Sequence, residues 1–146
     1  MTSVRMKSQC GVAIIEFALV VPVLVLLSML AVEFGRAMYQ YDALTKSVRD
    51  AARYLSIQLP GANIAEARNL VVYGNLAGSG SPLLPGLTPA HVPDPTWQNV
   101  GADPIIRTVT IQVSGYTFDP LVTTAFGFTF PALTFSDIRA TMRSHQ

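Results

Sequence analysis

The hydrophobic and polar positions divide the chain into stretches of different rhythm. From Val12 to Val32 the residues are almost uniformly apolar, with one charge, Glu16. The run is about 21 residues long. At ~1.5 Å per residue it reaches across the roughly 30 Å hydrocarbon core of a bilayer. Beyond it the rhythm changes to steps of three and four: Phe34, Met38, Tyr41, Leu44, Val48, Ala51, Ala52 and Leu55 fall on one helical stripe. Asp42/Lys46 and Lys46/Asp50 add opposite-charge pairs at i,i+4 on the polar side. The pattern predicts one helix of about 45 residues, or ~70 Å, half in lipid and half in a soluble domain. Pro60-Gly61 is expected to end it. Pro22 is an interior breaker that membrane helices accept, and Gly35 marks the membrane exit.

A second helix is expected at 62–73, capped by Asn63 with Glu66 three residues on, and stopped at Gly74 and Asn75. Residues 74–104 are dense in glycine and proline and read as a long flexible loop. His91 and Trp97 are its conspicuous side chains, the first expected as a solvated loop residue and the second as a packing anchor. In "IRTVTIQVSGYTF" the alternation places Val109, Ile111 and Val113 on one face of a strand. In "LTFSDIRATMR" the apolar set changes face near Asp137, where a bulge would reconcile it. The intervening "DPLVTTAFGFTFP" reads as a short helix or another strand. Two antiparallel strands packed on the second half of the long helix make an α+β, pilin-like plan.

Charge enters next. Arg5 and Lys7 precede the apolar run and no acid does, so the first ten residues are expected to stay in the cytoplasm and the rest to be exported. A secretory signal has a shorter core and a small-x-small cleavage site, which Met29 spoils at Ala31. Cys10 precedes the apolar core, whereas a lipoprotein cysteine follows it. Charged residues are only 13% of the chain and the formal net charge is +1, so no nucleic-acid footprint is indicated. One cysteine forms no internal disulfide and no metal cluster.

Glu16 is then the anomaly, because a carboxylate at the centre of a span costs about 2.5–3.5 kcal/mol, less near its edge. One reading has it reach back to the headgroups from one turn inside the interface. The other rests on "GVAIIEF": a short basic leader ends at Gly11, four apolar residues follow, then Glu16 and Phe17. This resembles the prepilin-peptidase site of class III signal peptides. There the cut falls after the glycine on the cytoplasmic side and the apolar segment stays on the mature chain. By that likeness Gly11, Val12, Glu16 and Phe17 are the processing residues. Residues 1–11 are the leader, 12–32 the transmembrane helix and 33–146 the exported domain. Glu16 is also the assembly candidate, placed to pair with the amino terminus of a neighbouring subunit.

Further on, "EFGRAMY", "ALT" and "RDAARY" follow the Glu-Phe and the in-span proline in order, across residues 8 to 56. This block resembles the TadE-like family of pilus-assembly pseudopilins. The resemblance implies a small single-pass protein of the bacterial inner membrane. It implies membrane lipid, a prepilin peptidase, other Tad pilins and inner-membrane assembly proteins as partners. The role implied is assembly of a thin adhesive Flp-type pilus in a tight-adherence secretion system.

No catalytic set, phosphate loop or metal spacing is read from the residues, so no enzyme, cofactor or small-molecule substrate is expected. Two other classes remain as alternatives: an uncleaved bitopic anchor presenting a small binding module, and a small periplasmic enzyme.

Overall fold

The structure, a computed structural model, describes residues 10–145, so Arg5 and Lys7 of the expected leader lie outside the described residues. Helix α1 runs unbroken from Cys10 to Ser56. Neither Pro22 nor Gly35 ends it, and it stops four residues before Pro60. Helix α2 follows at Ile64–Tyr73. Its start differs from the expected capping box: Asn63 is left-handed (φ 56°) and its side chain makes no cap hydrogen bond. The Asn63 amide instead donates to Gln58 Oε1 at 2.7 Å. The end is as expected, with Gly74 left-handed and its N–H donating to Leu70 O.

The principal sheet is antiparallel with β1 (Thr96–Val100) and β7 (Ile138–Arg143) flanking β2 (Ile106–Val113). Two-residue ladders join β3 (Thr117–Phe118) to β6 (Leu133–Thr134) and β4 (Thr124–Ala125) to β5 (Phe128–Thr129). The β2–β7 pairing matches expectation, in a register that sets Val113 opposite Ile138. No single bulged strand covers 133–143. Leu133–Thr134 pair with β3, the chain leaves the ladder at Phe135–Asp137, and Ile138 re-enters facing the core. The change of apolar face near Asp137 is therefore a change of sheet.

By internal contacts the chain forms two compact units. One joins the chain up to Gly35 with Pro120–Pro131, and the other joins Arg36–Asp119 with the chain from Ala132 onward. The second unit holds the core. Leu44, Val48, Ala51, Ala52 and Leu55 of α1 meet Ala67, Val71 and Val72 of α2 and the inner face of the sheet, Val109, Ile111, Val113 and Ile138. This is the α+β arrangement with the sheet packed on the second half of α1.

The amphipathic stripe is corrected at its N-terminal end. Phe34 is 70% exposed, and Met38 and Tyr41 are exposed as well. The buried face there runs through Glu33, Ala37 and Gln40 to Leu44. Polar residues continue the helical period because each has a partner to bond, which offsets the cost of burial.

The stretch 74–104 is also more structured than its composition implies. Leu84, Leu87 and Val92 enter the core, Leu83 N–H donates to Val72 O at 2.7 Å, and Arg68 of α2 holds Asp94 at 2.8 Å and Val92 O at 2.9 Å. Trp97 lies on the edge strand β1, half-buried against the core as an anchor. His91 is not simply solvated. It ends a 3-10 turn, Pro89–His91, where Nδ1 accepts the Thr88 N–H at 3.1 Å and the ring meets Tyr116 edge-on.

Tyr116 links these parts. It is 3% exposed, and its hydroxyl lies 2.8 Å from Gln40 Oε1 and 3.0 Å from Pro85 O. Burial pushes the phenol above its ordinary range and nearby Asp119 adds to this, while Arg36 opposes it. A raised folded value means that the folded chain keeps its proton while the unfolded chain loses it. Stability from this group is complete below the ordinary tyrosine pKa and is lost as pH rises past it. Tyr116→Phe is expected to cost about 1–3 kcal/mol at neutral pH, since Gln40 loses its buried partner. It should also flatten the alkaline fall in thermal stability, as measured by melting of the full chain in detergent across pH.

Candidate processing and assembly segment

The first turns of α1 contain all the predicted site residues. Gly11, Val12, Glu16 and Phe17 are helical and exposed, with Val12 69% and Phe17 70% accessible. Val12 and Glu16 are one helical turn apart and so share a face. Phe17 falls about 100° round the helix and lines a different surface with Val21 and Leu24. A Cβ built on Gly11 meets nothing within 4 Å, so the folded chain places no demand for glycine there. The same holds at Gly35.

The apolar window of α1 is wholly unburied by the rest of the chain and is long and apolar enough to cross a membrane. Val12, Ile14, Ile15, Leu19, Leu27 and Val32 are each more than half exposed. Each fully buried side chain of that size is worth about 1.5–3 kcal/mol, so such a surface demands an apolar surrounding. Among the described residues no group of His, Cys, Asp or Glu is placed to hold a metal ion.

Two positions carry structure that the pattern of apolar residues did not single out. Glu33, one residue past the span, is 9% exposed and accepts the Leu121 N–H at 3.0 Å through Oε1. Gln40 is 7% exposed and faces the Tyr116 hydroxyl. The signal that finds them is the helical period itself: 33, 37, 40, 44 and 48 keep one face if polar residues are admitted to it.

The fold and this segment together define a class: a single long apolar N-terminal helix that leads into a small α+β domain. Within it, residues 11–53 match the family model described as TadE-like protein. That interval contains Gly11, Val12, Glu16 and Phe17 and ends inside α1, so the likeness is confined to the long helix. No curated protein and no solved structure matches the chain.

Proposed function

We propose that this chain is a membrane-anchored pseudopilin or minor pilin-like protein that takes part in assembly of a Tad-type, Flp pilus. The observation that carries the proposal is the TadE-like helix, which couples an unburied apolar run to a carboxylate five residues after a glycine that the fold does not require. In this reading a prepilin peptidase cuts between Gly11 and Val12. The span keeps the product in the inner membrane, and the α+β domain stands outside the cytoplasm. The function is structural, through contacts with other Tad pilins and assembly proteins, and involves no catalysis. Phe34, Tyr39 and Met38 fit that role as exposed apolar side chains on a helix whose opposite face is buried.

N-terminal sequencing of the membrane-extracted protein tests the processing step. A chain beginning at Val12 supports it, and one beginning at Met1 or Thr2 returns the protein to the class of plain anchors. A reporter active only outside the cytoplasm, fused after Ser56, is expected to be active. Reporter activity confined to the cytoplasm would overturn the orientation and the pilin reading with it.

A further inference from the structure

The segment Pro120–Pro131 belongs to the same compact unit as the apolar end of α1. It carries no charged residue, and Asp119 precedes it directly. Its hairpin pairs Thr124 with Thr129 and Ala125 with Phe128, and the Phe130 N–H donates to Thr123 O at 2.8 Å. The two residues at the turn, Phe126 and Gly127, are both left-handed, at φ 50° and 82°. Such turns in water favour asparagine, aspartate or glycine at their centre. Here an aromatic stands at the tip and is 61% exposed, with Phe128 at 62% and Leu121 at 74%.

The hairpin segment is tied to the end of the apolar run. The Leu121 amide is bonded to Glu33, and Glu33 follows directly on the apolar run that ends at Val32. Leu121 and Val122 also continue an apolar groove of about 550 Å³ along Val21, Leu24, Met29 and Val32 of the span. Ser28 on this groove spends its hydroxyl on Leu24 O. Glu33, bonded to the Leu121 amide, is the one charged residue of the lining, and beside it the apolar surface of the run continues onto the hairpin.

We propose that this hairpin is a second membrane contact, seated in the interfacial layer where the span leaves the bilayer, with Leu121, Phe126 and Phe128 against lipid. The two-stranded ladder leaves open backbone edges, which the hydrocarbon core does not tolerate. The interface does, because headgroups and water there satisfy free N–H and C=O groups while phenyl and leucyl side chains reach the acyl boundary. The Glu33 carboxylate serves as the hinge point, holding the segment's first amide at the membrane exit. The inference rests on residues 12–32 being a membrane span.

The test uses the full chain in phosphatidylcholine vesicles at low protein-to-lipid ratio, with lipids brominated near either the glycerol end or the methyl end of the acyl chain. Phe128→Trp adds an exposed reporter, and Trp97 of the unaltered chain provides the baseline. Leu24→Trp reports on the span. The expected result is a blue-shifted added emission for Phe128→Trp, quenched more by the shallow bromines than by the deep ones. Leu24→Trp should show the reverse order. Added emission from Phe128→Trp that is open to iodide and indifferent to bromine overturns the inference. So does emission shielded from iodide but unquenched and dependent on protein density, which means that a second copy covers the face. If Leu24→Trp escapes the deep bromines, the span reading itself falls, an outcome distinct from failure of the hairpin alone.

Discussion

With leucine in place of Gly11, precursor accumulates in the membrane and little or no chain beginning at Val12 is formed. Two effects act together. A peptidase that accepts glycine at the scissile position has no room for a branched four-carbon side chain, and a clash of about 3 kcal/mol slows cleavage on the order of 100-fold. Cleavage also needs an extended backbone, whereas Gly11 lies in the first turns of α1. Glycine weakens a helix by about 1 kcal/mol relative to good helix formers, so leucine makes that turn harder to open. The folded chain itself is indifferent, because nothing lies within 4 Å of an added Cβ. The variant should therefore insert, and its soluble domain should melt as before. Loss of the leader removes Arg5 and Lys7 and takes the formal charge from +1 to −1, so the two forms separate by charge as well as mass. A mature form of unchanged mass and yield in the Gly11→Leu variant would remove the peptidase assignment. Gly11→Ala, which adds only a methyl, is expected to fall between.

Glu16→Gln is expected to have the second large effect, on assembly alone. The substitution keeps the shape and removes the charge. Insertion should be at least as efficient, since an ion has left an apolar segment. Cleavage after Gly11 should persist. Assembly should fail, because in the proposed pilus the ammonium of Val12 on one subunit meets Glu16 of another in a low dielectric. Removing one partner of such a pair leaves the other charge buried, and association falls on the order of 100-fold or more. The exposure of Glu16 on the isolated helix leaves it available for this contact. The measurements are co-purification with other pilins and a count of pili on cells. Normal piliation with Glu16→Gln would leave Glu16 as a tolerated interfacial acid. Glu16→Asp retains charge but shortens reach by one methylene, so a partial defect in that variant would point to geometry as well as charge.

Much of the architecture is legible in the sequence, and the reason is local. A run such as Val12–Val32 states its own environment, since it is long and apolar enough to cross a membrane and the rest of the chain leaves it unburied. The i,i+4 recurrence from Leu44 to Leu55, the stop at Gly74, and the alternation of Val109, Ile111 and Val113 each depend on neighbours within one element. The proposed processing site has the same local character, because a cleavage signal made of Gly11, Val12, Glu16 and Phe17 would be read in line, with no partner from elsewhere in the fold.

What the sequence left open depends on residues far apart in the chain. Phe34, Met38 and Tyr41 look like core by hydrophobicity, yet Glu33, Ala37 and Gln40 face inward at that level. Only the arrival of Leu121 and Tyr116, some 80 residues later, gives those polar groups bonds to make. Proline and glycine marked 74–104 as loop, but Thr96–Val100 pair with β2 and Arg68 closes on Asp94, both decided by partners outside the stretch. Asn63 had the spacing of a cap and found Gln58 instead. The switch of face at Asp137 could be a bulge or a change of sheet, and the choice fell to whether β3 was present to take Leu133 and Thr134. Periodicity reports which face a segment presents. Which polar residue can be buried on that face is decided by the donor or acceptor that tertiary folding brings to it.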